Sequence, residues 1–151
     1  MPDRLRLTYR TDGDGTGEVV ATASTLGWAG ESSGWFGEGQ LRQFAADLGK
    51  YPLDANTPPQ LLTGYGPNGI GDTEFQPTID IKVVAIRNRG QLGALIHLSS
   101  FVWPDDPAYL AGSAHMVLPT SYQRVGEFAT AIGSLLDGVA DEAVLLGERF
   151  D

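Results

Sequence analysis

Twice along this chain of 151 residues the spacing of apolar side chains changes from every second position to every third or fourth. That double switch constrains the fold more than any other feature, because the two periods belong to strands and helices respectively. Leu41, Phe44, Ala45 and Leu48 recur at i, i+3, i+4 and i+7, the apolar stripe of a helix near residues 38–49. Val125, Phe128, Ala129, Ile132, Leu135 and Leu136 form a second stripe and predict a helix over 121–136. Gly49, with Pro52 just beyond, stops the first helix, and Gly138 ends the second. Thr120 as N-cap with Gln123 three residues on reads as a capping box.

The remaining chain reads as strands and turns. Leu5, Leu7 and Tyr9 alternate with Arg4, Arg6, Thr8 and Arg10. The turn Thr11 to Gly17 then leads to a second strand at Glu18 to Leu26, so the two form a hairpin. Residues 27–39 hold five glycines among Trp28, Trp35 and Phe36 and read as a loop, with at most a short strand at Gly34 to Phe36. Further strands are expected at Gln60 to Tyr65, at 78–87 and 91–102 about the turn Asn88-Arg89-Gly90, and at Ala114 to Leu118. Ala143 to Leu146 is a last short strand or a docked tail. The expected fold class is α+β: one domain over 1–151, an antiparallel sheet of five to seven strands packed by two α-helices.

The two helical segments resemble each other. LRQFAADLG at 41–49 and VGEFATAIG at 125–133 align at an offset of 84, with Phe44/Phe128, Ala45/Ala129 and Gly49/Gly133 identical. This fits a duplicated strand-strand-helix unit. It fits better two amphipathic helices meeting the same packing demand, since the stripe alone produces such matches.

Composition narrows the function classes. Apolar residues make up 42% and charged residues 19%, a globular balance. There is no cysteine, which removes disulfides and thiolate-held metals and suits a reducing compartment. The formal net charge is −9, which argues against nucleic acid and against anionic membrane surfaces. No apolar h-region follows the first residues and no aliphatic run is long enough to span a bilayer, so a cytoplasmic location is expected.

Motifs with chemistry are weak. Gly64 to Gly69 matches GxGxxG literally, yet IGDTEFQPT follows it with Pro77 and no helical stripe to meet a pyrophosphate. Asp12 to Gly17 resembles the start of a calcium loop, but position 12 of that loop would be Ala23 instead of glutamate. Ser32 and Ser33 lack a nucleophile elbow. In so acidic a chain Glu31, Asp72 and Glu74 carry no special weight as catalytic carboxylates. His97 and His115 become neighbours if their strands pair, with Asp105 and Asp106 in the loop between them. Two histidines and a carboxylate suit a small hydrolase or metal enzyme, although no i, i+4 spacing fixes the pair. No cofactor is called for. Trp35 and Phe36 are expected in one core with Phe44 and Phe128, and Trp28 is a candidate exposed anchor for a partner.

Gly30-Glu31, Trp35-Phe36 and the spacing Leu41, Phe44-Ala45, Leu48 after a hairpin resemble small bacterial immunity proteins of the WapI type and related bacterial families. The resemblance lies mainly in residues 27–53. It implies a non-enzymatic module that neutralises a co-encoded toxin, with no cofactor and no catalytic residues to carry over. The expected partner is another protein, with a basic toxin domain as the candidate, bound through Trp28, Glu31, Asp105 and Asp106. Charge, length and motifs leave the oligomeric state open.

Overall fold

A computed structural model describes residues 3–65, 75–86, 90–102, 105–107 and 110–149. The glycine-rich stretch beyond Tyr65, Asp72, Glu74 and most of the turn before Gly90 lie outside the described residues. In chain order the elements are β1 (Arg4–Thr11), β2 (Thr16–Thr25), β3 (Trp28–Gly37), α1 (Glu38–Leu48), β4 (Gln60–Tyr65), β5 (Gln76–Ala85), β6 (Gln91–Ser99), β7 (Ser113–Ser121), α2 (Tyr122–Leu136) and β8 (Ala143–Leu146).

The α+β class holds, but not the expected sheet. Among the described residues eight strands divide into two four-stranded antiparallel sheets, ordered β3-β2-β1-β8 and β4-β5-β6-β7. Each half of the chain has a strand meander, a helix entered directly from the last strand of that meander, and one more strand. The closing strands are exchanged: β4, which follows α1, pairs with β5, and β8, which follows α2, pairs with β1.

Side-chain size explains how the sheets meet. Along one inner row of the first sheet the residues shrink from Leu145 and Leu5 to Ala23 and then Gly30. The sheet is therefore thinnest at β3, which touches all four strands of the second sheet. A Cβ on Gly30 would stand 2.8 Å from the Ala114 side chain on β7. One on Gly34 would overlap Thr63 of β4. Three hydroxyls tie the crossing together: Ser32 donates to the Ser99 carbonyl (2.7 Å), Thr78 to that of Ser33 (2.9 Å) and Thr63 to that of Trp35 (2.8 Å). Residues 28–37 are thus a ten-residue strand and not the expected loop. Gly30 and Gly34 mark close approach of two sheets, not turns.

Trp35 corrects a second expectation. It faces away from the crossing and is 43% exposed, whereas Phe36, Phe44 and Phe128 are buried in one core. The helices pack against each other and cap the sheets, Leu41, Phe44 and Leu48 meeting the face of α2 that carries Val125, Phe128 and Ile132. The cap of α2 also moves. Ser121 accepts from the Arg124 N–H, while Thr120 is buried and donates to the Leu146 carbonyl at 2.9 Å. Among the described residues no helix is long and apolar enough to cross a membrane.

Candidate functional site: a cleft between a hairpin tip and an open sheet face

The inner face of the second sheet is apolar; its row Leu61, Ile81, Ile96 and Met116 is buried. Alternation sends the intervening residues to the opposite face. There two rows cross all four strands in register: Leu62, Asp80, His97 and His115, then Gln60, Lys82, Leu95 and Val117. The tip of the β2–β3 hairpin stands beside this face. Together they enclose a cleft of about 590 Å³ whose wall carries Leu26 and Trp28.

The hairpin tip is unusual in its chemistry. Thr25 pairs with Trp28, leaving a two-residue turn of Leu26 (φ +53°) and Gly27 (φ +85°). Two positive φ values define the type I′ turn, which favours Asn or Gly at its first position. Here leucine takes the left-handed conformation, and its side chain is 65% exposed. Trp28 beside it is 70% exposed.

His97 and His115 are direct cross-strand partners, as their strand positions suggested, and their rings stack with centroids 3.7 Å apart and planes inclined by 21°. Burial first, and then the neighbouring His115, press the His97 pKa below the usual imidazole value, with Asp80 opposing. The carboxylate beside them is Asp80, not Asp105 or Asp106. Planes so nearly parallel meet far beyond the roughly 2.0–2.1 Å of a zinc–nitrogen bond, so both rings do not point at one ion. Among the described residues no group of three His, Cys, Asp or Glu side chains is placed to hold a metal.

Of the four residues expected to meet a partner, Trp28 lines the cleft. Glu31 is exposed on β3 and accepts from the Thr22 hydroxyl across the sheet. Asp105 and Asp106 are exposed on the β6–β7 connection, whose base at Ser99 is bonded by Ser32, the neighbour of Glu31. Asp80, Lys82, Leu95, Val117 and Leu26 escaped the sequence reading. Period-two alternation puts the first four on the polar face of their strands, but nothing local shows that a hairpin from the other sheet stands against them. Asp12 to Gly17 spans the β1–β2 turn, with Asp14 accepting from the Thr16 N–H and hydroxyl. Those bonds lower its pKa.

Comparison with known proteins adds no relative. No family model, curated protein or solved structure matches the chain.

Proposed function

We propose that the protein acts by binding another protein and performs no chemistry of its own, in the manner of an immunity protein. The observation that carries this reading is the exposed indole of Trp28 beside Leu26, over a sheet face where Leu95 and Val117 are also exposed. Contiguous exposed apolar groups of this kind mark interaction surfaces, and tryptophan is enriched among the residues that dominate binding energy. The net charge of −9 favours a basic partner, such as a toxin domain of that charge. Glu31, Asp105 and Asp106 supply exposed acids for it.

The test is binding of the purified chain to the product of the neighbouring gene, followed by surface kinetics. Trp28→Ala is expected to weaken the complex by about 2 kcal/mol, roughly thirtyfold, through faster dissociation. Glu31→Lys, or Asp105→Lys with Asp106→Lys, slows association instead, and rising salt does the same. Purified protein that holds stoichiometric zinc or iron, or an activity lost in His97→Ala, would overturn the reading. So would an interface insensitive to both Trp28→Ala and the charge reversals.

A further inference from the structure

We infer that the cleft is a binding site for a small organic monocarboxylate, an apolar body carrying a single negative charge. This inference shares the walls Leu26, Trp28, Leu95 and Val117 with the partner-binding reading, but Lys82 carries it, and its failure would leave the binding of a partner protein untouched. The chain has 10 Lys and Arg against 19 Asp and Glu, so basic groups find acidic partners easily. Arg6, Arg10, Arg42, Lys50, Arg124 and Arg149 each do so. Lys82 does not: among the described residues no carboxylate lies within ion-pair distance of it. Arg4 shares that condition, but Lys82 is the one that lines the cleft.

Lys82 is half-buried, between Gln60 and Leu95 in its row. Asp80 is two residues away on the same face, yet it accepts from the Gln60 amide at 2.9 Å. The apolar stem of a half-buried lysine can be covered while its ammonium faces the cleft, and a ligand carboxylate there would make a charge-assisted hydrogen bond to it. The adjacent row adds His97 and His115, each with one N–H to donate when neutral. Asp80 limits the charge the site tolerates, since a phosphate dianion would face its carboxylate and the −9 of the whole chain. A monoanion gains from Lys82 with the least repulsion.

The walls define the rest of the ligand. Leu26, Trp28, Leu95 and Val117 offer an aromatic and three aliphatic surfaces. The volume of about 590 Å³ falls among small-ligand sites, which run from about 300 to 1,000 Å³. Leu26 holds its side chain at this wall in a strained backbone conformation without being buried in the core. Strain of this sort gathers at functional sites.

Three probes of similar shape test the inference: 2-naphthoate, neutral 2-naphthamide and cationic 2-naphthylmethylammonium. Each is titrated into nitrogen-15-labelled protein near pH 7.5, where imidazoles are mostly neutral. The expected result is a saturable shift of the Trp28 indole N–H and the Leu95 and Val117 amides, with naphthoate binding about tenfold more tightly than naphthamide. Lys82→Met lowers naphthoate to the affinity of the amide, whereas Lys82→Arg keeps the preference. Leu26→Asn weakens both probes alike. The proposal fails if naphthoate and naphthamide bind equally, if the ammonium binds best, or if the preference survives Lys82→Met. It also fails if no probe gives a saturable shift up to about 5 mM.

Discussion

Replacing Leu26 with asparagine should make the protein more stable, although it removes an apolar side chain. In the left-handed region a residue with a β-carbon is disfavoured by roughly 1–2 kcal/mol, much of which asparagine recovers through local hydrogen bonding. Asn-Gly is also the dipeptide that a type I′ turn favours. Against this gain stands lost burial. Leu26 is 65% exposed, so roughly one third of its side chain is covered. Full burial of leucine is worth about 1.5–3 kcal/mol, and a third of that is about 0.5–1 kcal/mol. The balance favours asparagine over leucine at this position by about 0.5–1 kcal/mol. In urea, with a slope of about 1.5–2 kcal/mol/M, the midpoint should rise by roughly 0.3–0.6 M at unchanged slope. A midpoint at or below that of the parent protein would refute the reasoning, since it would mean that the turn bears no strain or that Leu26 packs more than its exposure shows.

Phe128, fully buried between the helices and the sheets, should cost about 3–5 kcal/mol on truncation to alanine, read from urea midpoints. Gly34→Ala should destabilise by about 1–3 kcal/mol through overlap with Thr63. Thr63→Ser, which removes the clashing methyl and keeps the hydroxyl bond to Trp35, should recover much of that loss in the double variant. His97 should titrate below about 6.5 by NMR, and His115→Gln should raise its midpoint part of the way back. Because its folded pKa is depressed, the stability that His97 contributes is present above about pH 6.5 and lost as pH falls through the folded value. His97→Gln should flatten that part of the pH–stability profile.

Both helices were legible because their stripes begin and end beside strand patterns of the other period; α1 falls at residues 38–48 and α2 at 122–136. β3 was not legible. Glycine is depleted in strands, so Gly30, Gly34 and Gly37 argued for a loop. For the first two, the reason lies on β4 and β7, far along the chain, where Thr63 and Ala114 occupy the space a side chain would need. Trp35 was misplaced with them, since its side of the strand could not be known before the strand was. The helix cap was misplaced by one residue, because β7 continues to Ser121 and draws Thr120 into the core. The histidine pair followed from strand positions, as a register argument should. The cleft did not, because it exists only where one sheet's hairpin stands against the other sheet's open face.

The exchange of closing strands sets the order in which the molecule can be completed. Sheet closure at β1 awaits β8, and its Arg6–Glu142 ion pair joins positions 136 residues apart. Contacts so distant in sequence slow folding, because the chain loses loop entropy before the pairing offsets it. Until β8 docks, β1 presents a row of unpaired backbone groups that any matching strand can occupy. The best-matched strand in a concentrated solution is β8 of a second molecule. Refolding at high concentration should therefore yield strand-swapped dimers with native pairing in both sheets, separable from monomer by size and slow to revert on dilution.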